Sequence, residues 1–206
     1  MPNSTDTAQK TGIMICGHGS RDQGAVDEFG TLAGHLAKRF PDYDVESGFL
    51  EFATPVIRTG LDKLRDRGVN RIICVPGMLF AAGHVKNDLP SEINSFAHAH
   101  PDLDVRFGRE LAIDARLLRA AKVRIEEAEA AANAAGGEIA RKDTLLMVVG
   151  RGTNDSDANS NVNKVARMLW EGMDFGWAEV SYSGVAYPLV DEGLNKAVKL
   201  GYKRII

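Results

Sequence analysis

The pattern that opens this chain is written a second time 133 residues later, and that repeat limits the fold more than any other feature. Thr144-Leu-Leu-Met-Val-Val-Gly-Arg-Gly-Thr-Asn-Asp155 has the layout of the segment that ends in Gly17-His-Gly-Ser-Arg-Asp22. It places Gly150 on Gly17, Arg151 on His18, Gly152 on Gly19, Thr153 on Ser20 and Asp155 on Asp22. The same offset carries Pro188 onto Pro55, Leu194 onto Leu61, Gly201 onto Gly68 and Arg204-Ile-Ile206 onto Arg71-Ile-Ile73. A single offset that holds from one strand to the next implies two copies of one fold.

The first copy shows what that fold is. Ile13 to Cys16 is an apolar run too short for a helix and closed by Gly17 and Gly19, which predicts a buried strand and a tight turn. Val26, Phe29, Leu32, Ala33, Leu36 and Ala37 have the spacing of an amphipathic helix from Asp22 to about Arg39, ended by Pro41. Val45 to Leu50 reads as a second strand. Thr54-Pro55 then reads as the start of a helix whose buried stripe is Val56, Ile57, Leu61 and Leu64, stopped by Gly68. Val69 to Val75 predicts a third strand, Val85 to Ala99 a helix and Asp102 to Phe107 a fourth strand. The alternation predicts an α/β unit: an open parallel four-stranded sheet of order 2-1-3-4 with helices on both faces, duplicated in tandem. The alanine-rich stretch from Asp114 to Ala135 predicts a long helix before Gly136-Gly137. The expected organisation is a disordered leader (1–11), an N-terminal lobe (12–113), a connecting helix and linker (114–142) and the first part of a second, degenerate lobe (143–206).

Lys and Arg number 25 against 28 Asp and Glu, interspersed, for a net charge of -3. No field here is strong enough to call for nucleic acid or an anionic membrane. No apolar stretch reaches the roughly 18 residues of a spanning helix, and the first ten residues lack the apolar centre of a signal peptide. The expectation is a cytoplasmic protein. Cys16 and Cys74 fall in predicted strands, form no CxxC pair and read as buried thiols.

In the 2-1-3-4 order strands one and three are neighbours, and the winding reverses between them where open sheets bind ligands. His18 follows strand one and His84 follows strand three, so the order brings two imidazoles together. They suit a divalent ion with further positions open, or an acid–base pair. Glu51 follows strand two on the same side, as a proton acceptor or outer metal ligand; its match in the second copy is Gly184. Arg151, standing where the first copy has His18, suits an anion but offers no neutral imidazole. Metal or acid–base chemistry is therefore expected in the first copy alone. Arg21, Arg58, Lys86 and Asn87 are candidate contacts for an anionic ligand, and Phe49, Met78, Leu79 and Phe80 a candidate apolar wall. His35, His98 and His100 read as surface or helix-end residues.

The glycine turn lacks the lysine and spacing of a Walker loop, and it does not carry the dinucleotide glycine pattern. A histidine phosphatase would want arginine at Gly17, and no serine sits in a nucleophile-elbow sequence. Cys16-Gly-His-Gly-Ser-Arg21, Gly48-Phe-Leu-Glu-Phe-Ala-Thr-Pro55 and Val75-Pro-Gly-Met-Leu-Phe-Ala-Ala-Gly-His-Val-Lys-Asn-Asp-Leu-Pro90 together resemble the CbiX-type sirohydrochlorin cobaltochelatases, class II chelatases related in fold to ferrochelatase.

That resemblance implies insertion of cobalt(II) into sirohydrochlorin in cobalamin biosynthesis. His18 and His84 would hold the ion and Glu51 would take or relay a proton. Ser20, Arg21, Lys86, Asn87 and Arg151 would contact the anionic tetrapyrrole. Cobalt is then substrate, and no organic cofactor is expected. It also implies two chelatase-like lobes facing one another across a cleft; the degeneracy at Arg151 suits the duplicated long form. Because the second copy stops inside its third strand, a fragment of a longer protein is expected, with a second lobe or another subunit closing the cleft. The mass of the intact protein checks that expectation. The same residues suit iron or nickel insertion into the same ring. A reading of another class is a module that binds metal or tetrapyrrole without turnover.

Overall fold

The computed structural model describes residues 9–206. They fall into two compact units, one reaching Leu111 and the other running from Ala112 to Ile206. Of the leader expected over residues 1–11, residues 1–8 lie outside the described residues. Thr11 already opens the first strand, and Lys10 Nζ pairs with Asp44 Oδ2 at 2.8 Å.

In the first unit β1 (Thr11–Gly17), β2 (Asp44–Phe49), β3 (Arg71–Pro76) and β4 (Asp104–Phe107) form a parallel sheet in the order β2-β1-β3-β4, as the alternation of elements predicts. Successive side chains point to opposite faces, which divides the core in two. Met14, Cys16, Ile72 and Cys74 meet α2 (Ile57–Asp66) and α3 (Leu89–Ala99), whose Leu61, Leu64, Leu89 and Phe96 are wholly buried. Each such side chain contributes roughly 1.5–3 kcal/mol by leaving water. On the other face α1 (Gln23–Arg39) lays Phe29 against Gly17, Gly77 and Phe49, with the two phenyl centroids 5.1 Å apart. Cys16 and Cys74 are buried free thiols, and the neighbouring Cys74 side chain, together with burial, pushes the Cys16 thiol far up.

Two boundaries differ from the expectation. The second helix begins at Ile57, two residues beyond Pro55, with Val56 as its N-cap, so Val56 is exposed rather than part of the buried stripe. Pro55 is used earlier: its carbonyl accepts from Phe49 N at 2.9 Å, and Phe49 pairs with Val56 in a last parallel bridge. The helix expected from Val85 opens one residue sooner with a π-helical turn, His84–Asp88, that runs into α3.

In the second unit β5 (Thr144–Gly150), β6 (Trp177–Tyr182) and β7 (Arg204–Ile205) repeat the central arrangement as β6-β5-β7. β5, β6 and α6 (Val190–Lys199) begin and end 133 residues after β1, β2 and α2. α4 (Ala115–Gly136) lays Leu118, Ala121 and Ile125 on a core formed by Leu146 with Leu169 and Met173 of α5 (Ser156–Met173) and Phe175. Glu129 of α4 is buried and accepts from Arg141 Nε at 2.9 Å; that pairing is what makes its burial tolerable. Among the described residues no helix is long and apolar enough to cross a membrane.

The loops that leave β1 and β2 are laced together beyond the strands. Leu50 N donates to Gly17 O at 2.9 Å, and Glu51 N to His18 O at 3.0 Å. Gly19, at φ 96°, lies so close that a Cβ would overlap the Glu51 carbonyl oxygen. Gly19→Ala therefore meets both a forbidden conformation and a steric overlap, and is expected to cost about 2 kcal/mol or more. Gly30 stands in α1 with open space around it, so Gly30→Ala is expected to stabilise by up to about 1 kcal/mol. Urea unfolding of the two variants checks this opposition.

Asp114 caps α4 by accepting from Arg116 N at 2.8 Å. Hydrogen bonds from the Arg116 side chain and backbone hold its carboxyl well below the usual carboxylate range. A depressed folded pKa contributes stability that is fully present above the unfolded value and lost as pH falls toward the folded one. Asp114→Asn keeps a cap acceptor, so acid unfolding followed by circular dichroism is expected to lose this part of its pH dependence with the helix intact.

Candidate metal centre

Three neighbouring strands, β2, β1 and β3, each end by delivering one polar side chain to the same edge of the sheet. Glu51 stands two residues beyond β2, His18 one residue beyond β1, and His84 at the head of the π-helical turn after β3. Their convergence follows from strand order, because the carboxyl ends of adjacent parallel strands lie side by side.

One ligand atom from each residue lies within 4.8 Å of the other two. His18 Nε2 is 3.4 Å from Glu51 Oε1, and His84 Nε2 is 3.9 Å from the same oxygen. The two imidazoles meet edge to face, with centroids 4.5 Å apart and planes inclined at 74°. His18 Nδ1 is 2.9 Å from Gly19 O, and a carbonyl only accepts, so Nδ1 carries the hydrogen and Nε2 presents its lone pair. His84 Nδ1 is 2.7 Å from Asp88 Oδ2, one helical turn on, which gives the second ring the same polarity. Both Nε2 atoms are thus turned on the carboxylate. His18 Nε2 is shut off from solvent and makes no hydrogen bond. A buried nitrogen lone pair of this kind is costly unless something accepts it, and a divalent cation fits the gap between two imidazoles and a carboxylate. Histidine ligands characteristically anchor their other nitrogen on a carboxylate or carbonyl, as both do. Among the described residues no other histidine, cysteine or acidic side chains gather in this way.

A CbiX family model matches residues 12–128 and 145–206, two stretches that fall on the two copies. The chain belongs to the CbiX family. Over 199 residues it is 34% identical to the sirohydrochlorin cobaltochelatase of Priestia megaterium, covering 94% of this chain and 61% of that protein. The chain spans, then, about three fifths of that relative's length. It is 28% identical over 193 residues to the sirohydrochlorin ferrochelatase of the same organism, covering 94% of this chain and 69% of the relative. SirB from Bacillus subtilis, solved with Fe3+, superposes with a TM-score of 0.78 at 26% identity, covering 91% of this chain and 71% of that one.

The other residues singled out from the sequence of this CbiX-family chain fall in several places. Ser20 Oγ accepts from Asp22 N at 3.0 Å, at the entrance to α1. The Arg21 guanidinium lies over the Phe52 ring, 5.0 Å from its centroid. Lys86 and Asn87 are exposed on the π-helical turn, and Arg151 is exposed just beyond β5. Arg58 turns away to Asp62, at 3.5 Å, and over the Phe96 ring. Phe49 is buried and Met78 packs on the first core, whereas Leu79 is exposed. His100 stacks on Phe96 beside Arg65.

Asp88 and Phe52 escaped the sequence reading. The spacing of Asp88 four residues after His84 on a helical segment is the signal that was available for it. Phe52 carries no such signal, because nothing in its neighbours foretells a left-handed aromatic. Asp88→Ala removes the anchor of one ligand and is expected to weaken Co2+ affinity by about tenfold or more. Calorimetric titration of Co2+ into the full chain measures this; an unchanged affinity would contradict the anchoring role.

Proposed function

We propose that this chain inserts a divalent metal ion into sirohydrochlorin, with cobalt as the metal, as an enzyme of cobalamin synthesis. The observation that carries the reading is the orientation of His18 and His84: both rings are tied at Nδ1 and both turn Nε2 on the Glu51 carboxylate. Membership of the CbiX family and the likeness to a sirohydrochlorin cobaltochelatase support it.

Insertion exchanges one divalent cation for two pyrrole protons. The incoming ion must shed water while remaining coordinated, and the ring must lose two N–H hydrogens in the same place. His18 and His84 offer neutral nitrogen ligands that an ion exchanges for pyrrole nitrogens as it passes on to the ring. The Glu51 carboxylate takes the first proton. Once the ion has left, the imidazole lone pairs are free for the second, and Asp88 keeps the His84 ring turned for it. Ser20, Arg21, Lys86 and Asn87 line the approach as partners for the peripheral carboxylates of the ring. Arg151 is a further candidate anion contact, carried by the second copy. A second lobe, from this chain or another subunit, closes over the ring, in the cytoplasm.

Iron is the competing metal, because a sirohydrochlorin ferrochelatase is also among the relatives and a nitrogen–oxygen donor set accepts either ion. The deciding experiment supplies the full chain with sirohydrochlorin and Co2+, Fe2+ or Ni2+ in turn and follows the visible spectrum. Metallation fastest with cobalt is expected. Ring binding with no spectral change on adding any metal would replace the enzyme with a binding module. His18→Ala and His84→Ala are each expected to lower the insertion rate by about a hundredfold or more with unfolding midpoints near wild type; full activity in both would sink the proposed site.

A further inference from the structure

All three strands that deliver a metal ligand end against one aromatic ring, that of Phe29 on α1. A Cβ built on Gly17, the last residue of β1, would come within 2.8 Å of the ring's Cζ, and one on Gly77, the residue after β3, within 2.8 Å of its Cε2. Phe49, the last residue of β2, packs on the same ring with centroids 5.1 Å apart. Backbone conformation does not call for glycine at Gly17 or Gly77, because neither has a positive φ. What excludes a side chain at both is the ring lying flush on the backbone.

The ligands stand beyond those three ends. His18 follows Gly17, Glu51 lies two residues past Phe49, and Gly77 opens the loop that leads to His84. Backbone bonds hold the ends edge to edge: Gly77 N donates to Cys16 O at 2.8 Å and Leu50 N to Gly17 O at 2.9 Å. Such bonds lie in the sheet, so resistance to movement out of its plane has to come from a body packed on the face, and Phe29 is placed as that body. It is half-buried on a helix without a fully buried residue, which sets it apart from an ordinary core side chain. In the second copy Val162 stands at its position, with Cγ2 3.1 Å from where a Cβ on Gly150 would lie, and Arg151 follows in place of histidine. The fold accepts an aliphatic side chain here, and the ring belongs to the lobe that gathers two histidines and a carboxylate.

We infer that Phe29 is a positioning residue of the metal centre: by bracing the ends of β1, β2 and β3 from one face, its ring sets the spacing of His18, Glu51 and His84. The inference rests on the reading of these three residues as holders of the ion, and deepens it. A gap of even a fraction of an ångström under a strand end forfeits much of the contact energy there, so a large rigid ring seated on both glycines resists displacement where a smaller chain would not. Ligand spacing fixes the geometry offered to an ion, and geometry is the means by which a nitrogen–oxygen donor set tells divalent ions apart.

The test titrates the metal-free full chain with Co2+, reading the Kd by calorimetry and the coordination geometry from the visible absorption of the bound ion. Phe29→Val, which installs the side chain of the second copy, is expected to raise the Kd by about tenfold or more, the scale of losing a residue that orients a ligand, and to alter the Co2+ spectrum. Phe29→Leu keeps more of the volume and is expected to fall between. Gly77→Ala presses on the ring from the opposite side and leaves α1 unaltered; it is expected to weaken Co2+ and alter the spectrum in the same way, which keeps the test open should Phe29→Val fail to fold. Leu36→Ala removes another half-buried side chain of α1 roughly 10 Å further along the helix. It is expected to lower the urea midpoint while leaving the Kd within about twofold of wild type and the spectrum unchanged. A wild-type Kd and spectrum in either Phe29→Val or Gly77→Ala, or an equal loss of affinity in Leu36→Ala, overturns the positioning role while the metal centre stands. A wild-type chain that binds no Co2+, or whose binding is untouched by His18→Ala, overturns both.

Discussion

Leu50 N donates to Gly17 O and Glu51 N to His18 O, so the parallel pairing of β1 and β2 continues past both strands into the loops that carry the chemistry. Loops ordinarily take up conformational freedom at such a point; here they are hydrogen-bonded to one another as strands are. The pairing needs Gly19 at φ 96°, since any Cβ would overlap the Glu51 carbonyl oxygen. With these loops locked, His18 and Glu51 cannot drift apart. The third member, His84, is set by a different device, a π-helical turn whose register puts Asp88 under its Nδ1. Preorganisation of this kind lets a site hold a cation without reorganising to do so.

The second copy preserves the same lacing with other side chains. Ser183 N donates to Gly150 O and Gly184 N to Arg151 O, at 2.9 and 3.1 Å, and Tyr182 pairs with Leu189 as Phe49 does with Val56. Backbone geometry here is a property of the fold, maintained by the tight approach of Gly152 to the Gly184 carbonyl. The identity of the side chain it presents is free to change. One lobe presents imidazole beside a carboxylate, and the other presents a guanidinium beside a glycine. The repeat thus carries a frame whose chemical content is set position by position.

Much of the metal centre was legible because its members are placed by topology. The order 2-1-3-4 makes the loops after strands one and three neighbours, which marks His18 and His84 without any knowledge of side-chain conformation. Glu51 was legible as a residue on the same side of the sheet, though its sharing of one oxygen between both imidazoles was not. Pro55 misled as a helix start, because its carbonyl had been drawn into pairing with Phe49, a tertiary demand that outranks capping preference. Asp88 was within reach through its four-residue spacing from His84, yet only the π-helical register decides that the two side chains meet.

By itself the sequence determined the duplicated α/β frame, the strand order and the histidine pair at its switch point. These follow from periodicity, glycine placement and a single repeat offset, all of which act along the chain. Tertiary structure alone decided the protonation polarity of the two rings, the burial of His18 Nε2 and the stack of Arg21 on Phe52. Each of these depends on how close separate loops come and which way a ring turns. Distances of that kind are set by packing between segments remote in sequence, and no local pattern of residues encodes them.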